Sequence, residues 1–218
     1  MRGAEASESP ATGTHTQSLA LHIGRSWDEA WFHTAELRPR HSEAALLTWT
    51  LDPPATDAGV PAPLVEIVSE VAASLGPVAF RIFFPVDLPA GIEMHSAPKA
   101  WFPVALYRRL TRTWPADVAI ATEAAAAAEM FSQDWQLQGQ IALVLDSEGL
   151  RDETLQRLRT ARNWSDTPFP EGVRLLLAPA VDGDGILVVT DSASGMDQVL
   201  ELLSQAAAKL GLSLRSER

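Results

Sequence analysis

The sequence predicts an α+β fold made of two tandem ferredoxin-like βαββαβ units, their sheets packed together or joined, with an extra N-terminal β-hairpin. Three observations predict it. From Glu43 onward, short runs rich in β-branched and aromatic residues alternate with runs whose apolar residues recur at helical spacing. The order strand, helix, strand, strand, helix, strand occurs twice. Corresponding points in the two halves lie about 95 residues apart: Leu51-Asp52 with Leu145-Asp146, Val86-Asp87 with Val181-Asp182, Gly91-Ile92 with Gly185-Ile186, and Ser96-Ala97 with Ser192-Ala193.

The elements follow in order. Residues 1–17 are small and polar with almost nothing to bury, and read as a disordered tail. Residues 18–23 and 30–37 are the strands of the N-terminal hairpin, and Arg38-Pro39-Arg40-His41 breaks the pattern. Glu43 to Leu51 is a strand stopped by Asp52-Pro53-Pro54. Leu64, Ile67, Val68, Val71 and Leu75 share one helical face, and Gly76-Pro77 closes that helix. Val78 to Phe84 is a buried strand, and Ile92 to Met94 is a short one. Ser96 caps a helix running through Trp101 toward Trp114, and Val118 to Ile120 is the last strand of the first unit. Glu123 to Phe131 is strongly helix-forming and reads as part of a linker over 123–138.

The second unit, 139–218, repeats the scheme. Strand 141–145 precedes a helix over 150–164 that carries Leu155, Leu158 and Ala161 inward. Strands 173–177 and 186–190 flank Asp182-Gly183-Asp184-Gly185, the strongest hairpin signal in the chain. A calcium loop is the other reading of that tetrapeptide, but the closing glutamate position falls on Ala193. Ser192 or Ser194 caps the last helix, Gly211 ends it, and Leu212 to Leu214 is the final strand. The first unit, with its hairpin, thus occupies 18–122.

Composition sets firm exclusions. The chain has 218 residues, 46% of them hydrophobic, enough to bury a real core. A formal charge of −11 argues against nucleic acid or an anionic membrane as principal partner. With no cysteine there is no disulfide, thiol nucleophile or cysteine-ligated metal. The N-terminus has no apolar stretch of a secretory signal and no run approaches a membrane span, so a cytoplasmic location is expected. Arginine far outnumbers lysine, present only as Lys99 and Lys209, which suggests a GC-rich bacterial source.

Few residues carry chemistry. Glu93 and His95, two apart on a short strand, project from one face as an acid–base pair would, and are the candidate catalytic residues; His33 and His41 are the histidines that would join them in a metal site. No metal-ligand spacing and no cofactor motif is present, so neither is expected. Asp52, Asp87, Asp146 and Asp182 stand at strand ends and turns, where aspartate bonds local backbone. Arg108, Arg109 and Arg112 form one basic cluster and Arg151, Arg157, Arg159 and Arg162 another. Each suits a solvated helix face or, with the planar guanidinium, an anion or partner contact. Of seven tryptophans most are expected in the core; Trp27, Trp31 and Trp135 fall outside the periodic segments and are candidate interface residues.

Asp146-Ser147-Glu148-Gly149-Leu150 resembles the Asp-x-x-Gly turn of ACT-type ligand-binding domains, a ferredoxin-like family often found in tandem. The resemblance covers five residues, and the first unit replaces it with a longer loop, 52–59. Together these features lead to a non-catalytic regulatory or assembly module that binds a protein partner or a small ligand, with a homodimer as one possible state. The alternative is an enzyme of the dimeric α+β barrel type, with a pocket between two sheets holding His95, Glu93 or an arginine.

Overall fold

Alternation of apolar residues along the strands buries both faces of a single sheet. The computed structural model describes residues 18–23, 42–50, 62–82, 88–96, 117–132, 142–146, 171–179 and 185–217, together with 101, 103, 154–156, 159 and 169. The strands are β1 (Ser18–Ile23), β2 (Glu43–Thr50), β3 (Val78–Ile82), β4 (Ile92–His95), β5 (Asp117–Ala121), β6 (Ala142–Leu145), β7 (Val173–Pro179), β8 (Gly185–Thr190) and β9 (Ser213–Glu217). The helices are α1 (Ala62–Leu75), α2 (Ala124–Ser132) and α3 (Ala193–Lys209). The fold is therefore α+β. The strands form one nine-stranded sheet in the order β4-β5-β3-β6-β7-β8-β2-β1-β9. Every pairing is antiparallel except β1 with β9.

One sheet face carries Leu47, Phe80, Ala119, Val144, Leu175 and Val188, and packs against α1, α2 and α3. The opposite face carries Ala44, Ala79, Val118, Ile120, Leu176 and Val189, and Leu155 packs there. Strands in the middle of the sheet thus hide apolar residues on both sides, which is why β3 and β8 read as continuous apolar runs rather than alternating ones.

Local chemistry sets the joints. Pro63 occupies the first turn of α1, where no amide hydrogen is needed. Gly76 ends that helix where a Cβ would meet the Leu145 carbonyl oxygen at 2.0 Å, so only glycine lets β6 pass. The Leu145 amide then donates to Pro77 O at 2.8 Å. Ser192 caps α3 by accepting from the Gly195 amide at 3.2 Å. Gly211, at φ +72°, releases the same helix into β9, and the Leu212 amide donates back to Ala207 O at 2.9 Å.

Two expectations need correction. A ferredoxin-like unit needs its four strands in one compact group with both helices on the same face. Instead three strands separate β2 from β3, and β2 pairs with β8, while the second half forms a β6-β7-β8 meander with β9 at the far edge. Leu155 and α3, from the two helical regions of that half, lie on opposite faces. Strand order and helix side are non-local choices, and element order alone does not fix them. The two halves are joined into one sheet through the β3–β6 pair. The tail over 1–17, the second hairpin strand over 30–37 and most of the helices over 96–114 and 150–164 lie outside the described residues.

Candidate functional site

The β4 end of the sheet brings together the residues with chemical interest. β4 is the terminal strand in the sheet order, and its residues pair with β5 as Ile92 with Ala121, Glu93 with Ile120, Met94 with Ala119 and His95 with Val118. Directly opposed residues share a face. Glu93 and His95 therefore lie on the Leu155 side, as their spacing predicts, while Ile92 and Met94 lie on the helical side. His95 Nε2 stands 3.2 Å from Glu93 Oε1. The two are close enough to form an ion pair when the imidazole is protonated, but Nε2, shielded from solvent, makes no hydrogen bond of good geometry.

Arg81 is a residue that pattern reading passes over. It faces Val118 across β3 and β5, so Arg81, Val118 and His95 form one row across three strands. Two strand spacings put the Arg81 and His95 backbones about 10 Å apart. Arg81 is only 5% exposed, and burial pulls its guanidinium well below its ordinary value, down to about 10. The signal was present in the sequence: an arginine inside Val78-Ala79-Phe80-Arg81-Ile82 has no solvent face to point to when both sides of the strand are covered.

Exposed apolar residues lie in β4 and close to it in sequence. Leu88 is 39% exposed, Met94 36% and Trp101 78%, three of the four large apolar residues exposed among the described residues. Trp101 is therefore not the core residue expected of it. Among the described residues no group of three or more histidine or carboxylate side chains is placed to hold a metal. Arg108, Arg109, Arg112, Trp27, Trp31, Trp135, His33 and His41 lie outside the described residues, as do Asp52, Asp87 and Asp182. Asp146 is half-buried at the end of β6, its amide donating to Gly172 O at 2.9 Å.

A second feature lies on the opposite side. An open groove of about 610 Å³ runs between α1 and α2 over Val65, Ala125 and Ala128, rimmed by Glu66, Glu70 and Glu129. Its other polar groups are engaged: the Ser69 hydroxyl donates to Val65 O at 2.5 Å, Ser132 donates to Glu129 O at 2.8 Å, and Lys209 of α3 pairs with Glu70. It is distant from Glu93 and His95, which occupy the other face of the sheet.

No family model, no curated protein and no solved structure matches this chain. Among the described residues no helix is long and apolar enough to cross a membrane.

Proposed function

We propose that the chain is a non-catalytic assembly module that binds a protein partner at the β4 end of its sheet. The exposure of Trp101 carries the reading. A tryptophan 78% exposed leaves a large apolar surface in water, and such residues, rare on free surfaces, dominate the energetics of protein interfaces. Leu88 and Met94 add apolar surface on either side of an edge strand, the sheet position most open to another chain. Arg108, Arg109 and Arg112 follow Trp101 closely in sequence and are the candidate polar contacts. The Glu93–His95 pair has no third ligating group beside it among the described residues.

A photo-cross-linking side chain placed at Trp101, in the full chain expressed in its own host, tests this. Covalent adducts with a polypeptide of defined mass are expected there, and not from the same probe at Glu66 in the α1–α2 groove. Absence of adducts at Trp101, or equal capture at both positions, sinks the reading.

A further inference from the structure

We propose that the partner at the β4 edge is a second copy of this chain, joined by antiparallel pairing of β4 with itself into a continuous sheet across both copies. The inference rests on the assembly reading above and names its occupant.

β4 is self-complementary in one register. A twofold axis normal to the sheet and passing beside Met94 sets Met94 opposite Met94, Glu93 opposite His95 of the second copy, and Ile92 opposite Ser96. Both Glu93–His95 pairs then fall on the same face, beside the 3.2 Å contact within each copy. The Glu93 side chain is 71% exposed and able to reach outward, and the His95 side chain, 28% exposed, lies directly across the joint from the second copy's carboxylate. Moving the axis by one residue, to Glu93, sets glutamate against glutamate, which disfavours that register. The twofold axis also leaves α1, α2 and α3 of both copies on one side of the joined sheet.

The opposite edge offers a comparable charge register, Arg215 opposite Glu217 about an axis at Ser216, but among the described residues β9 has no exposed large apolar side chain such as Met94 of β4. β9 carries Arg215 at its centre, and an axis there sets arginine against arginine. Exposed Met94 lies in β4, and exposed Leu88 and Trp101 lie within a few residues of it in sequence; a four-residue strand alone buries too little for a stable dimer without such flanking area.

Sedimentation of the purified full chain over a concentration series is expected to show a monomer–dimer equilibrium. Because the chain has no cysteine, Met94→Cys is a clean probe: mild oxidation is expected to give a disulfide-linked dimer, while Glu93→Cys alone links poorly. Glu93→Lys is expected to weaken association about tenfold, and adding His95→Glu to restore it, with the melting temperature of the monomer, measured at high dilution, unchanged throughout. Monomer at all concentrations, or a dimer indifferent to Glu93→Lys and unlinked through Met94→Cys, overturns the proposal. If the chain stays monomeric while the probe at Trp101 captures a different protein, the assembly reading stands and the second copy is excluded.

Discussion

Phe80 of β3 and Phe131 of α2 meet edge to face, ring centroids 5.0 Å apart and planes inclined at 70°. Both are fully enclosed, and they clamp α2 onto the half of the sheet that ends in β4. Truncating Phe80 leaves a cavity that neither the sheet nor α1 can collapse to fill. Phe80→Ala is expected to cost about 3–5 kcal/mol in denaturant unfolding, with a coupling to Phe131 of about 1 kcal/mol in a double-mutant cycle. A loss below about 1.5 kcal/mol would show that α2 is not held there.

Gly76 and Gly211 both follow helices but for different reasons, and alanine separates them. At Gly76 a Cβ would strike the backbone oxygen of Leu145, which cannot rotate away. Gly76→Ala is expected to cost about 3 kcal/mol or more. At Gly211 nothing lies within 4 Å of the added atom, and only its positive φ opposes the change. Gly211→Ala is expected to cost about 1 kcal/mol. Equal effects in thermal unfolding would refute the β6 contact.

Arg81 is held in place at a net cost, since burial outweighs whatever its neighbours return and lowers its affinity for the proton. Arg81→Met keeps the length and removes the charge, but deprives the groups that Arg81 contacts of their partner, and is expected to lower stability by about 3 kcal/mol at neutral pH. The pH dependence has a definite sign. Above about 10 the unfolded chain holds a proton that the folded chain has begun to lose, so the wild type gains stability as pH rises there. From pH 5 to 9 both states are protonated at this residue. Urea titrations should show a constant gap between wild type and Arg81→Met up to about pH 9, widening only above about 10. A gap that varies near neutrality assigns it to another group.

The Lys209–Glu70 pair bridges α3 and α1 with both side chains well exposed. Exposed pairs contribute little after screening and side-chain entropy. Lys209→Ala is expected to change stability by less than about 1 kcal/mol, and high salt to erase the difference.

Local chemistry made the elements legible, and long-range pairing decided their arrangement. Helix α1 was readable because Leu64, Ile67, Val68, Val71 and Leu75 keep one face and Gly76-Pro77 ends it. The β7–β8 hairpin was readable from its turn residues and was found, with Leu177 opposite Val188. Nothing in β2 announces that its neighbour is β8, because Leu47 and Ala45 would suit any apolar strand. Strand β4 resisted for a related reason: Ile92-Glu93-Met94-His95 has the alternation of a half-exposed strand, but edge position is a property of the whole sheet. Trp101 was expected inside because tryptophan usually is. Arg81 escaped notice because a single charge in an apolar run carries no periodicity.

The β2–β8 and β1–β9 pairs give the fold an order of assembly. Strand β2 lies between β1 and β8, and β1 lies between β2 and β9, so both strands wait for a neighbour from residues 185–217. Closing loops of that length is slow, because chain entropy is lost before the contacts form. As the chain leaves the ribosome, β1 and β2 emerge with both outer edges of their pair unclaimed. Only the arrival of β8 and β9 completes them, so this part of the sheet closes from its later strands back onto its earlier ones.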